Sequence, residues 1–514
     1  MNVWKFLSKE GVKMRFAVSL VGNFLRLFLN FLTTLYLARS MGPALFGDFY
    51  FLMNSFHGLR ALLDLGMQVA FFTFISAQKR EKRFYAHYLF WLALQWLFML
   101  CFITFLCPPS LLETLWLGMD RKLILLAFLA SFAMNQVWEV STNIGESIRG
   151  TFGIQLRNLI LSCLYLLLLV VLHKSGQLYL PQVYLGICAI YTFMSTLHIL
   201  SLRGRFLADQ EFHFSYVKLS KEYIKYCLPL AVGYIASSTQ GFVENWMLQR
   251  FGGSIHQGFF MLGSRFSTIC LLATTAISKI FWKEIAEYFA KGNQEQIQKL
   301  LRSTFRLLYS SSAVLSGFLV PFVPLLLVHF VGPEFESAWL VMSILFVYPV
   351  HQGLGQIIAA YFQATHKTKL YRNLCLCSMS ISIIITYLVL APSNAPIPGL
   401  NGGSTGMALK MYLVTIFSVN LGFFFVHKDS GESLSPAYQI MVLGFFLSTG
   451  FLAHSIVAGL FLNAETQFLE FFGWFLCSGV LYTLTVALFG WWQPDVFGIN
   501  PDMKRRILQK LSRN

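Results

Sequence analysis

Charge is what this sequence has least of. Only 12% of its 514 residues are Asp, Glu, Lys or Arg, about half the share of an ordinary soluble domain. A soluble chain of this length needs far more polar surface to stay dispersed. The gaps between apolar runs are too short to hold a separate soluble domain. A GxxxxGK[ST] loop is missing, and with it the signature of ATP-driven transport. HExxH is also missing, and no exposed loop carries paired catalytic carboxylates, so the chain is read as no enzyme and no cofactor is implied. The nine cysteines mostly sit inside apolar runs, as Cys101, Cys163, Cys188, Cys270 and Cys477 do, where they act as small hydrophobes. Cys375 and Cys377 have no histidine beside them, so no metal site is expected. The net charge of +16 comes without a basic arm or zinc spacing, which argues against a nucleic-acid partner. No short apolar core precedes a small-residue cleavage site, so the first helix itself is read as the insertion signal.

What is there is hydrophobic: 56% of residues, 16% aromatic, in runs long enough to cross a bilayer core of about 30 Å. The expected spans are 16–37, 48–75, 88–107, 123–144, 159–173, 183–200 and 226–247, then 259–281, 307–329, 338–361, 374–391, 405–426, 438–460 and 468–490. With the N-terminus inside, the inner segments hold 29 of the 39 Lys and Arg and the outer loops five. That bias sets the orientation. The fold class is therefore an all-α polytopic membrane protein of about fourteen transmembrane helices, with both termini inside. Residues 201–225 and 282–306 have apolar and charged positions at helical spacing and read as amphipathic segments on the inner leaflet.

The chain also repeats itself. Arg39, Gly42, Gly47 and Phe49 superpose on Arg250, Gly253, Gly258 and Phe260 at a shift of about 211, and Arg157-Asn158 superposes on Arg372-Asn373 at about 215. An even number of helices separates the copies, so the repeat is parallel. The expected organisation is a six-helix bundle over 1–200, a cytoplasmic linker over 201–225 and a second bundle over 226–430. Two further helices over 438–490 and a basic tail over 491–514 complete it.

Polar residues recur at three- or four-residue intervals inside the spans, which places them on single helix faces. Helix one carries Asn23, Arg26, Asn30 and Thr33; helix two carries His57, Arg60, Asp64 and Gln68. Asn135, Glu139, Thr142 and Glu146 stripe helix four, and Ser237, Gln240 and Glu244 helix seven. Helix eight adds Arg265, and helix ten His351, Gln352 and Gln356. An arginine facing lipid at a helix centre costs about 2.5–3.5 kcal/mol, so Arg26, Arg60 and Arg265 must find partners or a wet cavity. They can serve as internal glue: Arg60 can pair with Asp64 four residues on, and Arg26 with Glu139 or Glu244. They can also bind an anionic headgroup, since arginine grips phosphate bidentately. The candidate substrate-binding set is Arg26, Arg60, Arg265, Asn23, Asn30 and His57. Asp64, Glu139 and Glu244 are carboxylates at membrane depth and candidates for ion coupling.

Tyr36-Leu37-Ala38-Arg39-Ser40-Met41-Gly42-Pro43, running on to Phe46-Gly47-Asp48-Phe49, resembles the first loop of polysaccharide and O-antigen flippases. Lys225-Tyr226-Cys227-Leu228-Pro229-Leu230, Phe330-Val331-Gly332-Pro333-Glu334-Phe335 and the segment Phe362 to Lys369 resemble the same family, in the same order along the chain. The resemblance implies the multidrug/oligosaccharidyl-lipid/polysaccharide exporter superfamily, whose two six-helix bundles surround a cavity that opens alternately to either side. It implies translocation of a polyprenyl-diphosphate-linked glycan across the inner (plasma) membrane for O-antigen or exopolysaccharide synthesis, with polymerase and ligase enzymes as further partners. Arg26, Arg60 and Arg265 are the positions that match the cationic cavity of several relatives. The fourteen-helix form also resembles lipid II flippases, but their N-terminal pattern is not evident, which favours the oligosaccharide branch. A cation-coupled multidrug exporter of the same fold and a non-transporting scaffold for glycan assembly are the alternatives.

Overall fold

A computed structural model describes residues 12–208, 215–460 and 467–499, without the side chains of 12–17, 269–270, 272–277 and 279–280. The expected basic tail from residue 500, the linker residues 209–214 and the Lys279 side chain lie outside the described residues. The described chain is helical throughout, because a backbone in hydrocarbon must satisfy its own N–H and C=O groups. Among the described residues, eleven helical segments are long and apolar enough to cross a membrane. One of them, Val18–Asp64, holds the first expected span and most of the second. The seventh and eighth expected spans fall on helices that are not among the eleven.

By packing, the chain divides into unit 1, Met1–Gly258, and unit 2, Phe259–Asn514. Unit 1 holds α1 (Val12–Asp64), α2 (Met67–Ala77), α3 (Lys82–Cys101), α4 (Pro109–Trp116) and α5 (Arg121–Phe132). It continues with α6 (Trp138–Ser147), α7 (Thr151–Lys174), α8 (Leu180–Leu202) and α9 (Tyr216–Met247). Helix α10 (Gly253–Cys270) starts in unit 1 and ends in unit 2. Unit 2 holds α11 (Leu272–Ala290), α12 (Gln294–Leu319), α13 (Trp339–Ala364), α14 (Thr368–Leu390), α15 (Gly403–Ser430), α16 (Pro436–Ala458) and α17 (Phe468–Trp492). Of the expected inner-leaflet segments, residues 216–225 are already the first turns of α9. Residues 282–290 close α11, and 294–306 open α12. Each continues a longer helix, since no breaker separates it from the apolar run beside it.

The repeat has a local structural counterpart. Gly42 kinks α1 at φ 68, ψ 173, and Gly253 has φ 77, ψ 178 at the head of α10. A side chain is strained at either angle. Five residues on, the two copies meet. A Cβ on Gly47 would overlap the backbone carbonyl of Ser254, and one on Gly258 would overlap that of Pro43. Hydrogen bonds close the same crossing: Ser254 Oγ donates to Asp48 Oδ1 at 2.5 Å, and Gln249 Nε2 donates to the same oxygen at 2.8 Å.

Apolar packing differs in character between the units. Unit 1 has an aromatic cluster in which Phe71 stacks on Tyr88 at 4.0 Å, with Phe84 and Tyr223 beside them. Unit 2 is organised by α12 and α13. A Cβ on Gly450 of α16 would overlap the Gly317 carbonyl of α12, and one on Gly317 would lie 2.5 Å from the Phe446 carbonyl, so backbones touch there. About three turns earlier on α16, Gln439 is a neutral hub. Its Nε2 donates to the carbonyl of Leu434 at 2.8 Å and to Asn420 Oδ1 at 2.9 Å, and its Oε1 meets His351 Nε2 at 3.1 Å. Tyr309 Oη donates to the Gln439 carbonyl at 2.7 Å.

Candidate functional site

The second expected span is broken. Leu65 and Gly66 take the left-handed region, at φ 49 and φ 88, and separate α1 from α2. A Cβ on Gly66 would lie 3.0 Å from the Tyr234 ring of α9, so the break is also a close approach. Breaking a helix at membrane depth exposes backbone N–H groups, and Asp64 covers them: Gln68 N donates to Asp64 Oδ2 at 3.1 Å. The carboxylate is buried and caps this one N–H of α2 from two residues before Gly66, the N-cap position.

Arg60 lies one turn before the break. Its Nη2 donates to Gln68 Oε1 and, at 3.1 Å, to Glu139 Oε2 on α6. The salt bridge is thus made with Glu139, not with Asp64 four residues away, because Asp64 is committed to the helix cap. Arg60 is mostly buried (16% of its side chain exposed), whereas the Glu139 side chain is 47% exposed.

Arg60 also lines a small, mostly apolar cavity in unit 1, together with Phe56, Phe128, Ser131, Gln95 and Gln136. Gln95 comes from α3. Gln136 lies in a π-helical turn, Ala133–Val137, between α5 and α6. That turn shifts the helical phase, and such turns concentrate at functional sites. Gln136 Nε2 donates to Gln95 Oε1 at 3.3 Å. The remaining amide atoms, Gln95 Nε2 and Gln136 Oε1, are buried without a protein partner.

The other expected site residues are dispersed. Arg26 lies within electrostatic range of Tyr191 and makes no salt bridge among the described residues, so neither Glu139 nor Glu244 neutralises it. Asn23 Nδ2 donates to Ser19 Oγ at 3.2 Å, and Asn30 Oδ1 accepts from Ser162 Oγ at 3.1 Å. Those bonds pin α1 locally. His57 is exposed on α1, and Glu244 accepts from Gln240 Nε2 at 3.0 Å on α9. Arg265 is exposed on α10 in unit 2. Gln95 and Gln136 were not among the expected residues. Gln95 is a lone amide in an apolar run, and Gln136 is off the stripe of Asn135 and Glu139. Gly402-Gly403-Ser404-Thr405-Gly406 spells the GxSxG pattern, but it opens α15 with no strand before it, so it is no nucleophile elbow. Among the described residues, no group of three His, Cys, Asp or Glu could hold a metal ion.

Comparison with solved structures shows the fold. The chain superposes on the lipid II flippase MurJ in its inward closed conformation with a TM-score of 0.66 at 16% identity, covering 91% of this chain and 98% of that one. An inward-facing multidrug resistance MATE family transporter of the MOP superfamily gives a TM-score of 0.56 at 15% identity, covering 80% and 96%. A MOP superfamily transporter from Pyrococcus furiosus, described as having a binding pocket of reversed polarity, gives 0.53 at 14%, covering 81% and 94%. No curated protein sequence matches. The family described as "Polysaccharide biosynthesis protein" matches residues 14–281, more than half of the 514. The chain is a multi-pass membrane protein with the transporter fold of the MOP superfamily, and it belongs to the polysaccharide biosynthesis protein family.

Proposed function

We propose that the protein is a flippase that moves a polyprenyl-diphosphate-linked oligosaccharide across the cytoplasmic membrane by alternating access, for O-antigen or exopolysaccharide assembly. The observation that carries this reading is Arg60: a cation inside an expected membrane span, set beside a helix break and lining a small, mostly apolar cavity. Such a group can exchange its carboxylate for phosphate, because both accept the same forked donors. In this reading Arg60 binds Glu139 when the site is empty and the diphosphate when it is loaded. Protonation of Glu139 favours the exchange, which couples the step to a proton gradient. Asp64 keeps the break closed throughout, and Glu244 is a second candidate for coupling. Arg26, and in unit 2 Arg265, are assigned phosphate contacts on their chemistry, with Asn23, Asn30 and His57 as polar contacts. The fourteen-helix count, with both termini inside and two extra helices after two bundles, belongs to the same reading. Polymerase and ligase enzymes are the expected partners in the membrane.

Proteoliposomes carrying a fluorescent polyprenyl-diphosphate oligosaccharide test it. The readout is how much inner-leaflet glycan becomes accessible to an external quencher, with and without a pH gradient. The wild type should expose it, and Arg60→Glu should not. Exposure that persists in Arg60→Glu would remove the role given to Arg60.

A further inference from the structure

The expected inner segments of the two units carry their cations differently. In unit 2 five of them pair with acids, as Lys283 does with Glu287 and Lys299 with Glu295. Unit 1 shows no such pairing where three of its segments meet: the α2–α3 loop, the turn after α8 and the start of α9. Arg203 and Gly204 take the left-handed region, at φ 48 and φ 70, and end α8. Ala208 N then donates to the Arg80 carbonyl at 3.0 Å, and Tyr85 Oη donates to the Phe206 carbonyl at 3.2 Å. Tyr223 of α9 completes the set, its ring 5.1 Å from that of Phe74 and 6.1 Å from that of Phe84. The Arg80 guanidinium lies over the Phe84 ring at 5.1 Å, which holds it in place. Residues 78–83, 203–208 and 216–225 together bring nine Lys and Arg against two acids, Glu81 and Glu222. None of the nine forms an ion pair among the described residues, and Asp209 and Glu211 of the linker lie outside those.

The start of α9 tells what such a surface meets. Its buried side is Leu219, Tyr223 and Cys227, four residues apart. On another side Val217, Ile224 and Leu228 are 65%, 62% and 68% exposed. Beside them Lys218, Lys221 and Lys225 form an exposed basic arc. A nucleic acid or an acidic soluble protein gives exposed aliphatic side chains next to lysines nothing to enter. A bilayer interface does: the aliphatic groups enter the acyl boundary while the lysine heads reach the phosphates. The helix also continues without a break into an expected membrane span, 226–247, which sets its first turns at headgroup depth. The general excess of Lys and Arg in inner loops accounts for the sign of this charge. It does not account for three segments packed to gather the cations with so few acids, when unit 2 pairs its own. We propose that the α2–α3 loop, the turn after α8 and the first turns of α9 form a docking surface for anionic phospholipid headgroups of the inner leaflet. The proposal rests on the expected orientation of the chain and not on the transported substrate.

Native mass spectrometry of the full-length protein, delipidated in detergent and titrated with phosphatidylglycerol or phosphatidylcholine, tests it. The triple variant Lys218→Gln, Lys221→Gln, Lys225→Gln removes the basic arc of α9. The triple control Lys283→Gln, Lys291→Gln, Lys299→Gln removes the same charge from unit 2. Elution volume and melting midpoint of each establish that it is folded. If the α9 variant does not fold, Arg203→Gln with Arg205→Gln takes its place. A Lys or Arg at an anionic lipid surface is worth about fivefold in binding. The wild type should therefore hold phosphatidylglycerol about tenfold or more above phosphatidylcholine. The α9 variant should lose most of that margin, and the unit 2 control should keep it. Equal affinity of the wild type for the two lipids, a margin that survives in the α9 variant, or an equal loss in the control overturns the proposal. So does loss of the margin to inorganic phosphate at constant ionic strength, which would make this a site for soluble anions.

Discussion

Unit 1 and unit 2 bury polar groups to opposite ends. In unit 2 the hub at Gln439 is neutral, leaves only His351 Nδ1 of its own side-chain atoms unpaired, and joins α13 and α15 to α16. The ion pairs that join different segments of unit 2, Arg302 with Glu432, Arg306 with Asp495 and Lys367 with Asp429, each place their acid at or just beyond a helix end. Unit 2 does have cations within its helices, Arg265 and the buried Lys410. In unit 1 the Arg60–Glu139 pair sits beside a broken helix, Asp64 is buried as its cap, and two amides keep unpaired atoms at a cavity wall. A saturated network fixes a structure, whereas a partly satisfied one is kept where something else completes it. On the function proposed above, unit 1 would hold the ligand and unit 2 its own helices.

The largest effect should come from the backbone crossing of unit 2. Gly450→Ala must separate α16 from α12 and should destabilise by about 1–3 kcal/mol, the usual range for overpacking, seen as a loss of monodisperse protein and a lower melting midpoint. Gly444→Ala on the same helix meets no atom within 4 Å and should leave the midpoint unchanged or raise it. A similar response of the two would break the account of how unit 2 is held. Next comes Gln439→Leu. It leaves the His351 and Asn420 groups buried without their partner and should cost about 1–3 kcal/mol, while flipping per folded molecule stays at the wild-type rate. In unit 1 Glu139→Gln should do the reverse: a small change in melting, but flipping that no longer responds to the pH gradient. Retained pH dependence there would assign the coupling elsewhere. The smallest effect belongs to Lys299→Ala at an exposed helix pair, where no shift in the melting midpoint should be measurable.

Much of this contrast could be read from the sequence, and its decisive parts could not. The apolar runs establish a multi-pass helical chain, because runs that long and that apolar cross hydrocarbon as helices and not as barrel strands. The stripe of His57, Arg60, Asp64 and Gln68 was visible as one face, and Arg60 and Asp64 are both in the cluster. Their roles were hidden, because the spacing rule assumes a continuous helix. The break at Leu65–Gly66 turned Asp64 from a partner of Arg60 into a cap. Gly66 was its only local sign. That Arg60 should find Glu139, and Arg26 no carboxylate, depends on which helices touch, and periodicity within one helix says nothing of that. The π-helical turn that brings Gln136 to the cavity changes the helical phase where the sequence shows only an uninterrupted helical run.

Binding of a bare short polyprenyl diphosphate to nanodisc-embedded protein tests the central claim most directly, comparing Arg60→Gln in unit 1 with Gln439→Leu in unit 2. Loss of a charged, partly buried phosphate contact should cost about 2–3 kcal/mol, so affinity should fall by roughly 30- to 150-fold in Arg60→Gln and hold in folded Gln439→Leu. Equal affinity of Arg60→Gln and wild type, or a loss in Gln439→Leu as large as in Arg60→Gln, would contradict the division between a unit that binds and a unit that supports.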